Sequence, residues 1–150
     1  MNAAPPIVLR AAQPRDMRRI RAIIRRARIN RLGLRWRRFT VALVNSKIIG
    51  CVQLKEHRDG TIELASLAVE QDWRGRAIGA QLVADCIARH PAALHLMCTH
   101  KLVAYYLRLG FAVVALPDLP PYFKRLMRVL AFVAPRAIKH GRIVVMARGN

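Results

Sequence analysis

The residues best suited to chemistry in this 150-residue chain are Arg74-Gly75-Arg76-Ala77-Ile78-Gly79. They lie between a β-prone run, Thr61 to Val69, and a helical pattern in which Leu82, Val83, Cys86 and Ile87 share a face. A glycine-containing turn from a strand into a helix leaves several backbone N–H groups without acceptors, and the helix dipole adds about half a positive charge there. Phosphate is the ligand such a turn suits. Gly75 and Gly79 lack side chains that would hold a pyrophosphate off the backbone, and Arg74 and Arg76 raise the positive potential. A tight turn that binds nothing has the same pattern, and both the Gly-Lys-Ser/Thr of a P-loop and the three-glycine spacing of a dinucleotide fold are missing.

Other reactive side chains are scattered. Glu63 stands six residues before Val69 and so shares its strand face, an arrangement compatible with a cleft-facing or a solvent-facing carboxylate. Cys98 would need an activating base that no spacing identifies, and reads as a small buried residue. His57, His90, His95, His100 and His140 show no metal-ligand spacing and read as surface or loop residues, so no metal is expected. Three cysteines without a C-x-x-C pair exclude a disulfide framework and point to a reducing, cytoplasmic compartment.

The elements that position these residues form one run without repeats or long linkers. The length suits a single domain over residues 1–150, with 54% hydrophobic residues and no apolar run long enough to cross a membrane. Pro5 and Pro6 stand where a signal peptide would need an apolar stretch, so secretion is not expected. Ile7 to Leu9 is β-prone. Asp16 then opens an amphipathic helix with Met17, Ile20, Ile24 and Ala27 on one stripe, ending near Asn30. Phe39–Val44 and Lys47–Leu54 read as a hairpin around Asn45-Ser46, and Leu94–Cys98 as a buried strand. A helix over Leu102–Leu109 ends at Gly110, a strand over Phe111–Leu116 ends at Pro117, and Arg142–Arg148 is the last strand. Helices interspersed with strands in this order indicate an α/β (α+β) fold with helices on both faces of a mixed sheet.

Three motifs in this order resemble the GNAT superfamily of acetyl-CoA-dependent N-acetyltransferases. The loop Arg74 to Gly79 looks like the family's pyrophosphate signature, although its fourth position, normally glycine, is Ala77. Leu67-Ala68-Val69 looks like the strand end beside the acetyl-pantetheine arm, and Ala104 to Phe111 like the family's Ala-x-x-Tyr helix followed by Gly-Phe. Ile7 to Ile20 matches the usual opening, so the likeness runs through Val114 and leaves a variable apolar and basic segment at about 117–141 before the last strand. The resemblance implies a GNAT-like domain with a central sheet of about six to seven strands. It also implies acetyl-CoA as cosubstrate, contacted by Leu67, Ala68, Val69, Arg74, Gly75, Arg76, Ala77, Ile78, Gly79 and Ala80. By the same resemblance Tyr106 is the acid beside the CoA sulfur, Glu63 is the base that deprotonates the amine through water, and a backbone N–H near Val69 is the oxyanion donor. Thr99 and His100 stand where the family often sets a polar contact to pantetheine. A methyl group at position 77 is harmless if that residue has entered the helix, and harmful if the loop needs φ above zero.

Charge bears on the acceptor. The chain carries 27 Lys and Arg against 8 Asp and Glu, a formal +19, and Asp16 is the sole acid among its first 40 residues. Such a surface attracts anions and disfavours polycationic amines unless Glu56, Asp59 and Glu63 gather; an amino group on an acidic or nucleic-acid-associated protein fits better, with a small amine open. Residues 122–134 are too apolar for a solvated helix, and sheet packing, a homodimer or other protein partner, or contact with an anionic membrane surface would cover them. Two rival readings stand beside the acetyltransferase: a nucleic-acid-binding module built on the Arg-rich first helix, and a non-catalytic acetyl-CoA sensor.

Overall fold

The computed structural model describes residues 5–149. Seven strands hydrogen-bond in the order β1-β2-β3-β4-β5-β7-β6. They are β1 (Val8–Ala11), β2 (Phe39–Val44), β3 (Lys47–Glu56), β4 (Ile62–Val69), β5 (Leu94–Thr99), β6 (Ala112–Val113) and β7 (Ile143–Arg148). The pairs β1–β2, β2–β3, β5–β7 and β6–β7 are antiparallel, and β4–β5 is parallel. The helices are α1 (Met17–Arg26), α2 (Ile78–Arg89), α3 (Val103–Arg108), α4 (Pro121–Val133) and α5 (Pro135–Lys139). By contact density the chain forms two compact units. Among the described residues no helix is long and apolar enough to cross a membrane.

The first unit comprises the residues up to Leu54 together with Leu64–Arg89. Helix α1 buries Met17, Ile20, Ile23 and Ile24 against Phe39, Val41, Leu43, Ile48, Cys51 and Ala68. Helix α2 covers the opposite face. A Cβ on Gly50 would lie 3.2 Å from the Ala68 carbonyl oxygen and 3.3 Å from Leu82 Cδ1, so β3 and α2 meet there with no room for a side chain. Every residue of β2 is therefore buried, as expected of a strand covered on both sides. Helix α1 stops at Arg26, short of Asn30, because Arg28 turns left-handed at φ 55°.

The second unit comprises Lys55–Glu63 and the residues from His90 onward. Here β7 lies between β5 and β6, pairing Leu94↔Arg148 through Thr99↔Ile143 on one side and Ala112↔Ala147 on the other. Helix α4 packs Phe123 and Met127 with Leu119 and Val145. The apolar segment at 122–134 is thus covered by the sheet along one stripe, while Val129, Phe132 and Val133 stay exposed. Strand β6 is two residues long rather than the expected Phe111–Leu116, since Leu116–Asp118 winds into a 3-10 turn around Pro117.

Candidate active site

Two groups of side chains have the features that chemistry needs, one in each unit. In the first, β4 ends at Val69, a 3-10 turn over Gln71–Trp73 follows, and Arg74 is extended. Gly75 and Ala77 both adopt left-handed backbone, at φ 75° and 57°. The first intrahelical bond runs from Gln81 N–H to the Ala77 carbonyl, so the N–H groups of Ile78, Gly79 and Ala80 have no acceptor within the helix. Gly75 is required for its φ rather than for room, since a Cβ there would meet nothing within 4 Å. Ala77 has therefore not entered the helix, and its methyl group carries the left-handed strain that the sequence left conditional. The flanking arginines are held by the loop itself: Arg74 Nε donates to the Val69 carbonyl at 3.0 Å, and the Arg76 guanidinium lies 4.7 Å from the Trp73 ring centroid.

Buried Ile78 fixes the start of α2 against β3, and Glu70, just beyond β4, accepts from Arg19 and Arg26 of α1, each at 2.7 Å. The loop thus springs from anchored ends. It offers a row of N–H groups without acceptors in the helix at the positive end of a 12-residue helix, a geometry that can accept a phosphate.

In the second unit, Glu63 is buried, with its Oε2 2.7 Å from His57 Nε2. A carboxylate only accepts, so His57 donates to Glu63 through Nε2. The His57 ring stacks on Tyr122, centroids 3.4 Å apart. Asp59 accepts from the Tyr122 backbone N–H at 2.7 Å and from Thr61 N–H at 3.0 Å. Burial alone would raise the Asp59 carboxyl, but these donors outweigh it and hold it below the usual carboxylate range. His95, in register with Glu63 on β5, has a buried Nδ1 without a partner; burial lowers its imidazole more than Asp59 raises it. His57 is a loop residue, as expected, though partly buried, while His95 lies partly buried on β5 rather than at the surface or in a loop. Asp59 and Glu63 do gather, while Glu56 stays exposed, yet both carboxylates are engaged by donors of the chain itself. The hairpin register was the signal for His57, because His57 N–H pairs with the Thr61 carbonyl two residues from Glu63.

Tyr106 is buried in α3, edge-on to Tyr105 and Phe111. Burial first, then Cys98 and Tyr105, pushes its phenol well above the usual tyrosine range, so it keeps its proton. Among the described residues no hydrogen bond, ion pair or ring contact joins it to Glu63. Cys51 and Cys86 are buried thiols raised to about 12 and about 11, and burial raises Cys98 as well, so none is an activated nucleophile. Among the described residues no group of three or more His, Cys, Asp or Glu could hold a metal ion.

Comparison with known proteins bears on the fold and the family. The chain is similar to N-acetylglutamate synthase from Neisseria gonorrhoeae solved with coenzyme A and N-acetyl-glutamate, at 20% identity and a TM-score of 0.76 over 97% of this chain and 35% of that one. It thus spans about a third of the length of that synthase. The Mycobacterium tuberculosis protein Rv2747, solved with CoA, is similar at 18% identity and a TM-score of 0.71 over 95% of this chain and 99% of that one. A GNAT-family acetyltransferase from Staphylococcus aureus matches at 16% identity and a TM-score of 0.68, over 95% and 98%. No curated protein sequence matches. A family model described as an acetyltransferase (GNAT) domain matches residues 35–113, more than half of the chain and inclusive of both the loop and Tyr106, and the chain belongs to that family.

Proposed function

We propose that the protein is an N-acetyltransferase that moves the acetyl group of acetyl-CoA to a primary amine by direct attack in a ternary complex. The observation that carries this reading is the loop from Arg74 to Gly79, whose left-handed Gly75 and Ala77 feed into the unpaired N–H groups of α2. Residues Arg74 to Ala80 hold the pyrophosphate, and Leu67, Ala68 and Val69 line the acetyl-pantetheine arm. The reaction forms a C–N bond and breaks the thioester C–S bond. It needs a neutral amine, a donor for the oxyanion and a proton for the leaving thiolate. Glu63 takes the amine proton through water, with His57 held against it as positioning partner. Tyr106, kept protonated by burial, gives its phenol proton to the departing CoA thiolate. The acceptor is an amino group of a protein or a small molecule. Three free cysteines fit a reducing, cytoplasmic setting.

The test is thermal melting with acetyl-CoA, with AMP and polyphosphate as controls for simple anion binding. Ligand at about 100 times its Kd adds about 2.7 kcal/mol, and the shift should be specific to acetyl-CoA. An amine panel then measures transfer. Tyr106→Phe and Glu63→Gln should each lower kcat by about 10²-fold while leaving the acetyl-CoA shift in place. A shift matched by polyphosphate, or binding without transfer to any amine, would overturn the proposal.

A further inference from the structure

We propose that the outer face of α1 and the loop after it bind the phosphate backbone of a nucleic acid. Arg18, Arg21 and Arg25 are spaced three and four residues apart on α1, so they form one exposed row. With Asn30 and Arg31 they line a cavity of about 1020 Å³ that no acidic side chain enters. A second cavity of about 420 Å³ shares Arg21 and Leu34 with the first and adds Arg35, Arg37 and Arg38. Together they make a continuous guanidinium surface within the first unit, longer than a single small anion would need.

The contrast with the four carboxylate-paired arginines of this unit is the second observation. Arg10 pairs with Asp16, Arg19 and Arg26 share Glu70, and Arg89 pairs with Asp85. None of the arginines lining the two cavities has a carboxylate partner among the described residues. Like charges crowded without counter-charge oppose folding, and an extended polyanion relieves that repulsion while meeting the planar, bidentate geometry of guanidinium. The surface offers little else. The apolar stripe of α1 is buried, so the helix cannot insert into a bilayer, and among the described residues no exposed aromatic cluster on this face supplies the anchors of a protein interface. Uniform cationic contact without base-reading groups suits sequence-independent binding.

The experiment measures binding of the full chain to a labelled single-stranded RNA of about 20 nucleotides across a range of salt. Six to seven phosphate contacts predict a log–log salt slope of about −4 to −5. The triple variant Arg18→Gln, Arg21→Gln, Arg25→Gln should reduce that slope by about 2 and weaken binding about 100-fold at about 0.1 M salt. Its fold is checked by circular dichroism. A second triple variant, Arg125→Gln, Arg128→Gln, Arg136→Gln, removes the same net charge from exposed positions in the second unit and should change binding far less. Equal loss in both variants would make the effect one of net charge and overturn the proposal. So would binding to polyglutamate or to phosphatidylserine vesicles that matches RNA and vanishes in the first variant. The acetyl-CoA melting shift reads a different site and should survive in both.

Discussion

Ala77 holds φ at 57° in an exposed loop, so Ala77→Gly removes a methyl group from a backbone conformation that disfavours it. Left-handed backbone costs a residue with a Cβ about 1–2 kcal/mol. Glycine returns about 0.5–1 kcal/mol of this through its greater freedom in the unfolded chain. The net expectation is a stabilisation of about 0.5–1 kcal/mol, or about 1–4 °C in Tm for a chain of this size. Equilibrium urea denaturation and thermal melting, each with and without acetyl-CoA, measure it. The added shift from acetyl-CoA should be equal or larger in the variant, because the N–H groups that meet a pyrophosphate are untouched. Ala77→Val should move Tm the opposite way, since a β-branched residue tolerates positive φ least. If Ala77→Gly lowers stability by about 1 kcal/mol or more, or shrinks the acetyl-CoA shift, the left-handed turn is not the conformation the loop uses.

Two further outcomes follow from the packing and ion pairs of the first unit. Gly50→Ala should destabilise by about 1 kcal/mol or more, because the new methyl would sit 3.2 Å from a carbonyl oxygen that cannot rotate away; unchanged urea unfolding would refute this. Buried Asp16 accepts from Arg10 Nη1 and from Gln13 N–H, each at 2.7 Å, and the Arg10 hydrogen bond in particular holds its carboxyl below the usual range. The unfolded chain therefore takes up this proton at higher pH than the folded one. The stabilisation is fully present above about pH 4 and is lost as pH falls through the folded value. Asp16→Asn should cost about 1–3 kcal/mol at neutral pH and flatten the acid limb of a stability-versus-pH curve; an unchanged limb would show that the pair does not form.

Local chemistry was legible in the residues. The stripe Met17, Ile20, Ile24 encodes a helix by its spacing, and the polar pair Asn45-Ser46 between two apolar runs encodes a hairpin turn, in which both residues are left-handed, at φ 46° and 64°, a conformation Asn45 tolerates. The strand, turn and helix around residues 61–89 were readable for the same reason: each depends on neighbours within one or two turns of chain. Some local signals were outweighed. The apolar run after Phe111 has strand composition, yet Pro117 and the short pairing available beside β7 leave only Ala112–Val113 as strand.

What composition and spacing could not encode was partnership across long separations. Asp59 meets the backbone of Tyr122, and His57 is trapped between Glu63 and the Tyr122 ring, because packing of α4 on the strands of its unit brings them together. The same holds for the insertion of β7 between β5 and β6, which follows from strand edges competing for partners in three dimensions. Ala77 is the clearest case. A small residue before a helix is compatible with right- and left-handed backbone alike, and the sequence left both open; the anchored ends at Val69 and Ile78 decide between them. Residue type and period determined which segments would be strand, turn and helix and where positive charge would collect. Tertiary structure decided which charges are paired, which carboxylate holds a histidine and where strain is stored, because those depend on distances that only packing sets.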